Sequence, residues 1–350
     1  MRLERADFRD LPGWGADEAD ALVAGVSRHL PEAVRARPAQ ARWLAWFQTA
    51  RGADETALAF VERAFVPLRL TEPAFFTGYY EPVIAASRVR EGRFQTPIYR
   101  RPDDLVRVAA RADLPGDGTW GRMSADGAVV PYFDRAAIMG GALAGRGLEL
   151  FYLADPVDAF FAQVQGSARL SLPDGSKVRI GYHGKTGHSY TAIGRVLIDE
   201  GALPEGGATM QTIRAWLAAH PDDVARILEA NRSYVFFRER DEPGADLGPV
   251  AAGGVPLVPW RSLAVDRTMW RHGMPAYVET DVPGRGALAQ VMMAEDAGSA
   301  IVGAGRGDIF MGTGDAAGDV AGAMKAPGRL TMIVPRHTAE ALLAGQDMPP

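Results

Sequence analysis

The chain has 350 residues, 47% hydrophobic and 23% charged, with a net charge of −5, a composition ordinary for a soluble globular protein with room for two domains, or for one domain with an insertion. That charge offers no electrostatic argument for nucleic acid or a polybasic membrane contact, and the lack of cysteine excludes disulfides, thiolate metal sites and a cysteine nucleophile. No stretch approaches the roughly 18 consecutive apolar residues of a spanning helix, and the first residues lack the apolar core of a secretory signal, so a cytosolic protein and a mature exported form both fit.

The first seventy residues read as helical. Ala16–Leu30 places Ala19, Leu22, Val23, Val26 and Leu30 on one face, at spacings of three and four. Ala39–Gln48 and Asp54–Phe65 repeat the pattern, with Asp54 as the expected N-cap. From Phe75 short apolar runs broken by Gly and Pro predict β structure, beginning with a strand that ends at Thr77-Gly78-Tyr79-Tyr80-Glu81-Pro82. Ala109–Gly147 predicts loops with short strands, and Leu148–Leu153 a strand.

Ala168–Tyr182 predicts a hairpin around the turn Pro173-Asp174-Gly175-Ser176. Helices are expected over Thr209–His220 and Asp222–Asn231, a strand over Tyr234–Phe237, and a linker over Arg238–Gly254. Short strands then follow at Ala264–Val265, Ala276–Glu279, Asp308–Met311 and Leu330–Val334, with a helix over Asp315–Met324. Many short strands with turn-rich connections favour a small barrel over a doubly wound parallel sheet.

Three aspartates draw attention. Asp296 and Asp308 flank a loop of small residues in Met293–Met311, and Asp266 ends the strand-like Leu263–Asp266. A carboxyl at the edge of a core can have its pKa raised toward the range useful for proton transfer. The same residues also fit turns and caps, where Asp bonds to its own backbone.

Other motifs carry less. Gly312-Thr313-Gly314 lacks the third glycine of a dinucleotide loop, since Ala317 stands there, and reads as a tight strand-to-helix turn. His183 and His188 flank a glycine-bearing loop and fit polar loop contacts better than a metal pair. No serine lies in a G-x-S-x-G elbow. Tyr79 and Glu81 should share one strand face and Tyr80 the other; aromatics beside hydrogen-bonding groups suit sugar rings, and tyrosine equally suits a half-buried barrel wall.

Together FFTGYYEP (75–82), FFAQVQGSARLSLPDGSKVRIGYHGKTGHSYTAIGR (160–195), TMQTIRAW (209–216), LAVD (263–266) and EDAGSAIVGAGRGDIFMGTG (295–314) resemble the membrane-bound lytic murein transglycosylase A family, in the family's order and across nearly the whole chain. The resemblance implies a mainly β protein with peripheral helices. A double-psi β-barrel domain of the three-aspartate type would use residues 1–95 and 240–350, a second β domain would be inserted at 96–239, and a long groove would separate them.

It further implies non-hydrolytic cleavage of the β-1,4 bond between N-acetylmuramic acid and N-acetylglucosamine, leaving 1,6-anhydro ends. Asp308 matches the single catalytic acid/base and Asp296 a neighbouring catalytic aspartate. Tyr79, Tyr80, Glu81, Gln165, Ser167, Lys185 and Asp266 are the residues expected to bind or position substrate. Peptidoglycan strands would be the partner, alongside cell-wall synthesis or remodelling proteins, in the periplasm with outer-membrane association. No cofactor or metal is implied.

Ser299 replaces the second glycine of the family's Asp-x-Gly-Gly-Ala-Ile run and Val302 a common lysine; a positive φ at Ser299 would strain that loop. Two other readings remain open at this stage. One is a glycan-binding scaffold without turnover. The other is a hydrolase that uses water and a second carboxylate, Asp296 or Glu81.

Overall fold

A computed structural model describes residues 2–36, 46–116, 118–240, 244 and 247–345. In chain order its strands begin with β1 (Leu3–Arg5), β2 (Phe65–Leu70), β3 (Ala74–Glu81), β4 (Val83–Ser87), β5 (Thr96–Tyr99) and β6 (Leu105–Arg107). There follow β7 (Trp120–Met123), β8 (Val129–Val130), β9 (Glu149–Leu153), β10 (Ser167–Ser171), β11 (Lys177–Lys185) and β12 (Val235–Arg240). The last are β13 (Ser262–Val265), β14 (Met274–Val282), β15 (Gly286–Asp296), β16 (Arg306–Thr313) and β17 (Lys325–Pro335). Two compact units result: Met1–Tyr80 with Pro243–Gly312 and Ala316–Pro350, and Glu81–Glu242 with Thr313–Asp315.

In the first unit β17, β14, β15, β13, β16 and β3 form a ring, because β3 pairs back onto β17. This is the six-stranded closure expected of a double-psi barrel, and it leaves no free edge within the ring. Most neighbours are antiparallel, but β13 and β15 are parallel, with a register shift between Leu263 and Ala264. β2 extends the sheet from the C-terminal half of β17, and β1 extends it from β2.

Helix α1 (Ala16–Ala36) covers the barrel wall with the expected stripe: Ala19, Leu22 and Val26 are buried. With α2 (Ala57–Ala64) it packs Phe60, Val61 and Phe65 against Tyr277, Val291, Met293 and Ile333. The α2 cap is Thr56, whose hydroxyl accepts from the Ala59 amide, so the expectation for Asp54 is corrected by two residues. Phe65 leaves the helix and opens β2. The helix expected over Ala39–Gln48 falls mainly on residues outside those described, with 46–50 helical.

In the second unit the sheet runs β12-β11-β10-β4-β9-β5. It curls until Arg100, just after β5, bridges Phe237 of β12. Inside the curl lie Ile84, Ile98, Phe151, Leu153, Ala168, Leu170, Ile180 and Phe237. The expected hairpin is present as β10 and β11, where Asp174 accepts from the Ser176 amide and Gly175 takes φ 83°.

Short helices α3 (Arg135–Met139), α4 (Pro156–Gln165), α5 (Ile193–Asp199), α6 (Met210–Ala219) and α7 (Val224–Ala230) accompany this sheet. The α6 cap is a reciprocal Thr209–Thr212 box, a local arrangement that fixes its start. The expected linker over Arg238–Gly254 begins inside β12, which runs to Arg240.

Near the C-terminus the turn Gly312-Thr313-Gly314 carries φ 120° at Gly312 and φ 88° at Gly314, conformations that favour glycine. It leads into α8 (Asp315–Ala323), and α9 (Arg336–Leu343) follows β17. The turn is therefore the strand-to-helix connection expected from its sequence.

Candidate active site

Asp308 lies on β16 opposite Ala264 of β13, and Asp296 at the end of β15 lies opposite the same Ala264. Directly opposed residues in a sheet point to one face. The two carboxylates thus flank a methyl group, with backbones two strand spacings apart, roughly 9–10 Å.

Strand β3 supplies a donor to each acid. The Thr77 hydroxyl donates to Asp308 Oδ1 at 2.6 Å, and the Tyr79 hydroxyl donates to Asp296 Oδ2 at 3.0 Å. Residues two apart on a strand share a face, which is why Thr77 and Tyr79 serve the same cluster. The Ala252 amide donates to Asp296 Oδ1 at 3.0 Å.

Arg306 extends this chain of donors. Its Nη2 donates to Thr77 Oγ1 at 3.2 Å, while its Nη1 donates to the Phe75 carbonyl at 2.7 Å. Guanidinium, hydroxyl and carboxylate therefore stand in series, a polarised arrangement that strengthens each bond.

Burial pushes the Asp308 carboxyl up to about 6, against the opposing pull of the Thr77 hydrogen bond and the Arg306 charge; the Asp296 charge adds to the rise. The apolar neighbourhood is a small cluster of Tyr79, Leu257, Ala264 and Phe310. Phe310, two residues beyond Asp308, shares its strand face, and its ring packs 5.3 Å from that of Tyr79. Ile309 and Met311 alternate to the opposite face. Burial, followed by the charges of Asp296 and Asp308, drives the Tyr79 phenol well above its ordinary value, so it acts as a donor.

Asp266 is placed differently. Its Oδ1 accepts from the amide and hydroxyl of Thr268 at 2.9 and 2.6 Å, and its Oδ2 accepts from the Gly303 amide at 2.7 Å. Burial raises this carboxyl, but the Gly303 and Thr268 donors outweigh it and hold the group below its ordinary value. Its geometry is that of a clamp on the loop between Asp296 and Asp308.

That loop is not strained at Ser299. Among the described residues the positive φ values in it fall on Gly303, at 107°, and the one non-glycine residue with positive φ is Trp260. Val302 is 69% exposed.

Of the remaining sequence candidates, only Tyr80 shares the acid cluster's unit. Tyr80 faces the other way and lies over Gly318 of α8, whose absent Cβ would sit 2.8 Å from the ring. Glu81 is wholly buried and accepts from Arg179 Nε and Nη2 at 2.7 and 2.9 Å and from Thr313 Oγ1 at 3.0 Å. Neither presents the open sugar-facing group expected for it. Gln165, Ser167 and Lys185 belong to the second unit, with Ser167 buried at the start of β10 and Lys185 half-buried at the end of β11. His188 bonds through Nε2 to the Tyr132 carbonyl at 2.9 Å, a polar loop contact as expected.

Two residues of the cluster were not singled out from sequence: Thr77 and Arg306. The signal for Thr77 is its place two residues before Tyr79 in a strand. Arg306 has none beyond its nearness to Asp308.

Comparison with known proteins places the chain. A family model described as the MltA specific insert domain matches residues 75–238, and one described as the 3D domain matches 261–334. The crystal structure of a membrane-bound lytic murein transglycosylase from Agrobacterium tumefaciens shares 38% identity at a TM-score of 0.87, covering 97% of this chain and 99% of that one. The chain belongs to the membrane-bound lytic murein transglycosylase A family.

Membrane-bound lytic murein transglycosylase A of Escherichia coli K12 is 35% identical over 267 residues, which is 74% of this chain and 65% of that relative. The match thus spans a little under two thirds of its length. The structure of Escherichia coli MltA with bound chitohexaose shares 28% identity at a TM-score of 0.70, covering 96% of this chain and 95% of that one. Among the described residues no helix is long and apolar enough to cross a membrane.

Proposed function

We propose that this chain is a lytic transglycosylase that cleaves the N-acetylmuramic acid to N-acetylglucosamine β-1,4 bond of peptidoglycan without water. The observation that carries the reading is the Asp308 carboxyl, raised to about 6 by burial and by Asp296. A group with that value is far more often protonated near neutral pH than an ordinary carboxyl, and its proton is readily released to a leaving oxygen, which is the property a general acid needs.

The protonated Asp308 gives its proton to the glycosidic oxygen as the bond to C1 breaks. The muramic C6 hydroxyl oxygen then attacks C1 from within the same sugar, and its proton passes to the Asp308 carboxylate. The acid is regenerated, one bond is broken, one ring is closed, and no water is consumed. One carboxyl serves both steps because the nucleophile belongs to the substrate, unlike the paired-carboxylate scheme of ordinary glycosidases.

Asp296 has the part of a fixed negative charge that keeps the Asp308 proton in place before reaction and favours the positive character that develops at C1. Thr77 orients the Asp308 carboxyl. Asp266 holds the loop that carries Gly303. A cell-envelope setting accords with the membrane-bound naming of the relatives, and glycan binding accords with the chitohexaose complex of the Escherichia coli protein.

The test is mass spectrometry of fragments released from purified peptidoglycan, with Asp308→Ala in parallel. Fragments one water lighter than reducing muropeptides, absent with the variant, are expected. Hydrated fragments would make the protein a hydrolase. Glycan binding without release from the folded wild type would make it a scaffold.

A further inference from the structure

The overall charge of the chain is negative, yet one face of the second unit is cationic. Alternation along β12 sends Val235 and Phe237 into the core of the curled sheet and Tyr234 and Phe236 into a separate cluster with Tyr99, Leu105 and Trp120. Arg238 and Arg240 continue that second side; Arg238 is exposed and Arg240 half-buried. Across the ladder Arg238 lies opposite Gly181, and Gly181 lies opposite Ser167.

Two glycines of β11 let arginines lie across the strand. A Cβ on Gly181 would sit 3.2 Å from Arg240 Cγ, and one on Gly184 would sit 3.3 Å from Arg101 Cδ. Between them the register shifts at His183, an extra residue that bends the strand. Arg101 is steadied by the Leu105 carbonyl at 2.8 Å and the Trp120 ring. Three arginines thus line the stretch of β11 on either side of His183.

Like several arginines of this unit, and unlike Arg88 and Arg179, the three have no carboxylate partner among the described residues. Arg88 is paired with Glu239, and Arg179 with Glu81. Among the described residues no side-chain hydrogen bond or ion pair is formed by Arg238 or Arg240, and Arg240 Nε and His183 Nδ1 are buried without a partner. Burial pushes the His183 imidazole down, and the charges that add to it are those of Arg238, Arg101 and Arg240. Burial likewise lowers Arg240, with Arg238 as the charge beside it. Like charges held together in this way are relieved by an anion.

We propose that Arg238, Arg240 and Arg101 form an anion site on the β11–β12 face that takes the free carboxylates of the peptide stems carried by the glycan strand. The proposal rests on the peptidoglycan reading above. Hydroxyl and acetamido groups of the sugars are neutral, and the muramic lactyl group is consumed in the amide link to the stem. The anionic groups of a stem-bearing strand are the carboxylates of its peptide, and planar guanidinium forks match them. The expected substrate preference is for stem-bearing over denuded strands.

The experiment is calorimetric titration of the full chain carrying Asp308→Asn, so that nothing is cleaved, with a reduced disaccharide-tripeptide muropeptide. Its partner titration uses the same compound with the peptide carboxylates blocked as methylamides. Arg238→Gln, at an exposed position that leaves the fold intact, and the Arg238→Gln/Arg240→Gln pair are the variants.

The expected result is binding of the free-carboxylate form that weakens about tenfold on blocking and at least as much in the double variant, with a shallower salt dependence. Equal affinity for both forms, no loss in either variant, or no binding to the parent would overturn the proposal. Hydrated rather than anhydro fragments in the cleavage test would sink the transglycosylase reading and leave this binding result standing.

Discussion

Thr77 donates its hydroxyl to Asp308 across adjacent barrel strands at 2.6 Å, and receives one itself from Arg306. The bond stabilises the carboxylate more than the acid, opposing the burial that raises Asp308 to about 6. Thr77→Val keeps the shape and removes the donor. A hydrogen bond to a charged group contributes about 1.5–3 kcal/mol, so kcat should fall roughly 10-fold to 100-fold. The alkaline limb of the pH–rate profile should move upward, because the acid then holds its proton more tightly. Thr77→Ser should restore both. A profile that stays in place in Thr77→Val would show that the hydroxyl does not act on the Asp308 proton.

The raised Asp308 value also has a stability consequence. The folded state binds this proton more tightly than the unfolded chain, with values of about 6 and 3.8. Its cost is absent below the unfolded value, grows between the two, and is complete above the folded one. Asp308→Asn should therefore be more stable than the parent at pH 7.5, by roughly 2–3 kcal/mol for a shift of about two units. The difference should shrink as pH falls toward 4. Denaturant unfolding at both ends of that range checks it, and a gap independent of pH would contradict the buried-acid description.

Much of this site was legible in the sequence, and the reasons it was not fully so are physical. The three aspartates stand out because carboxylates among small residues at strand ends have few local partners. The convergence of Asp296 and Asp308 on Ala264 depends on a parallel pairing of β13 with β15, which no local pattern specifies. β15, Gly286–Asp296, is among the longest strands of the barrel, yet its first half, GALAQ, lacks the alternation that marks a strand. The helix at Pro156–Gln165 was likewise hidden in an apolar run, although Asp155 caps it and Pro156 opens it. Alternation separates Tyr80 from Tyr79 and Glu81 in the sequence, but that Glu81 is buried against Arg179 depends on a partner 98 residues away on β11. Net charge concealed the arginines of β12 because they are offset by acids elsewhere in the chain.

Asp266 is predicted to act through the loop rather than on the glycan. Asp266→Asn would turn an amide donor toward the Gly303 N–H in place of the Oδ2 that accepts from it at 2.7 Å. Leaving that half-buried amide unmatched should cost about 1 kcal/mol of stability. KM should rise as the loop loosens, while the alkaline limb attributed to Asp308 stays where it is. A shifted limb with unchanged KM would mean that Asp266 acts on the acid directly.

Glu81 offers the clearest separation between a binding residue and an internal support. Its side chain and that of Arg179 are both wholly buried and joined by two hydrogen bonds, and Thr313 adds a third to Glu81. Glu81→Gln removes the carboxylate that Arg179 and, at 3.7 Å, Arg169 share. Breaking a buried pair from one side costs about 3–5 kcal/mol. Removing the Arg179 charge as well, in Glu81→Gln/Arg179→Met, should recover part of that loss even with Arg169 still beside the site, so that the double variant is more stable than Glu81→Gln alone. Activity per folded molecule, measured below the unfolding transition, should change little in the double variant. Contact with the glycan would give the opposite pattern: a raised KM in both variants, with no recovery of stability when the second charge is removed. Stability and KM measured on the same two proteins therefore decide whether Glu81 meets the substrate or holds together the chain segments that leave the barrel at β3 and β16.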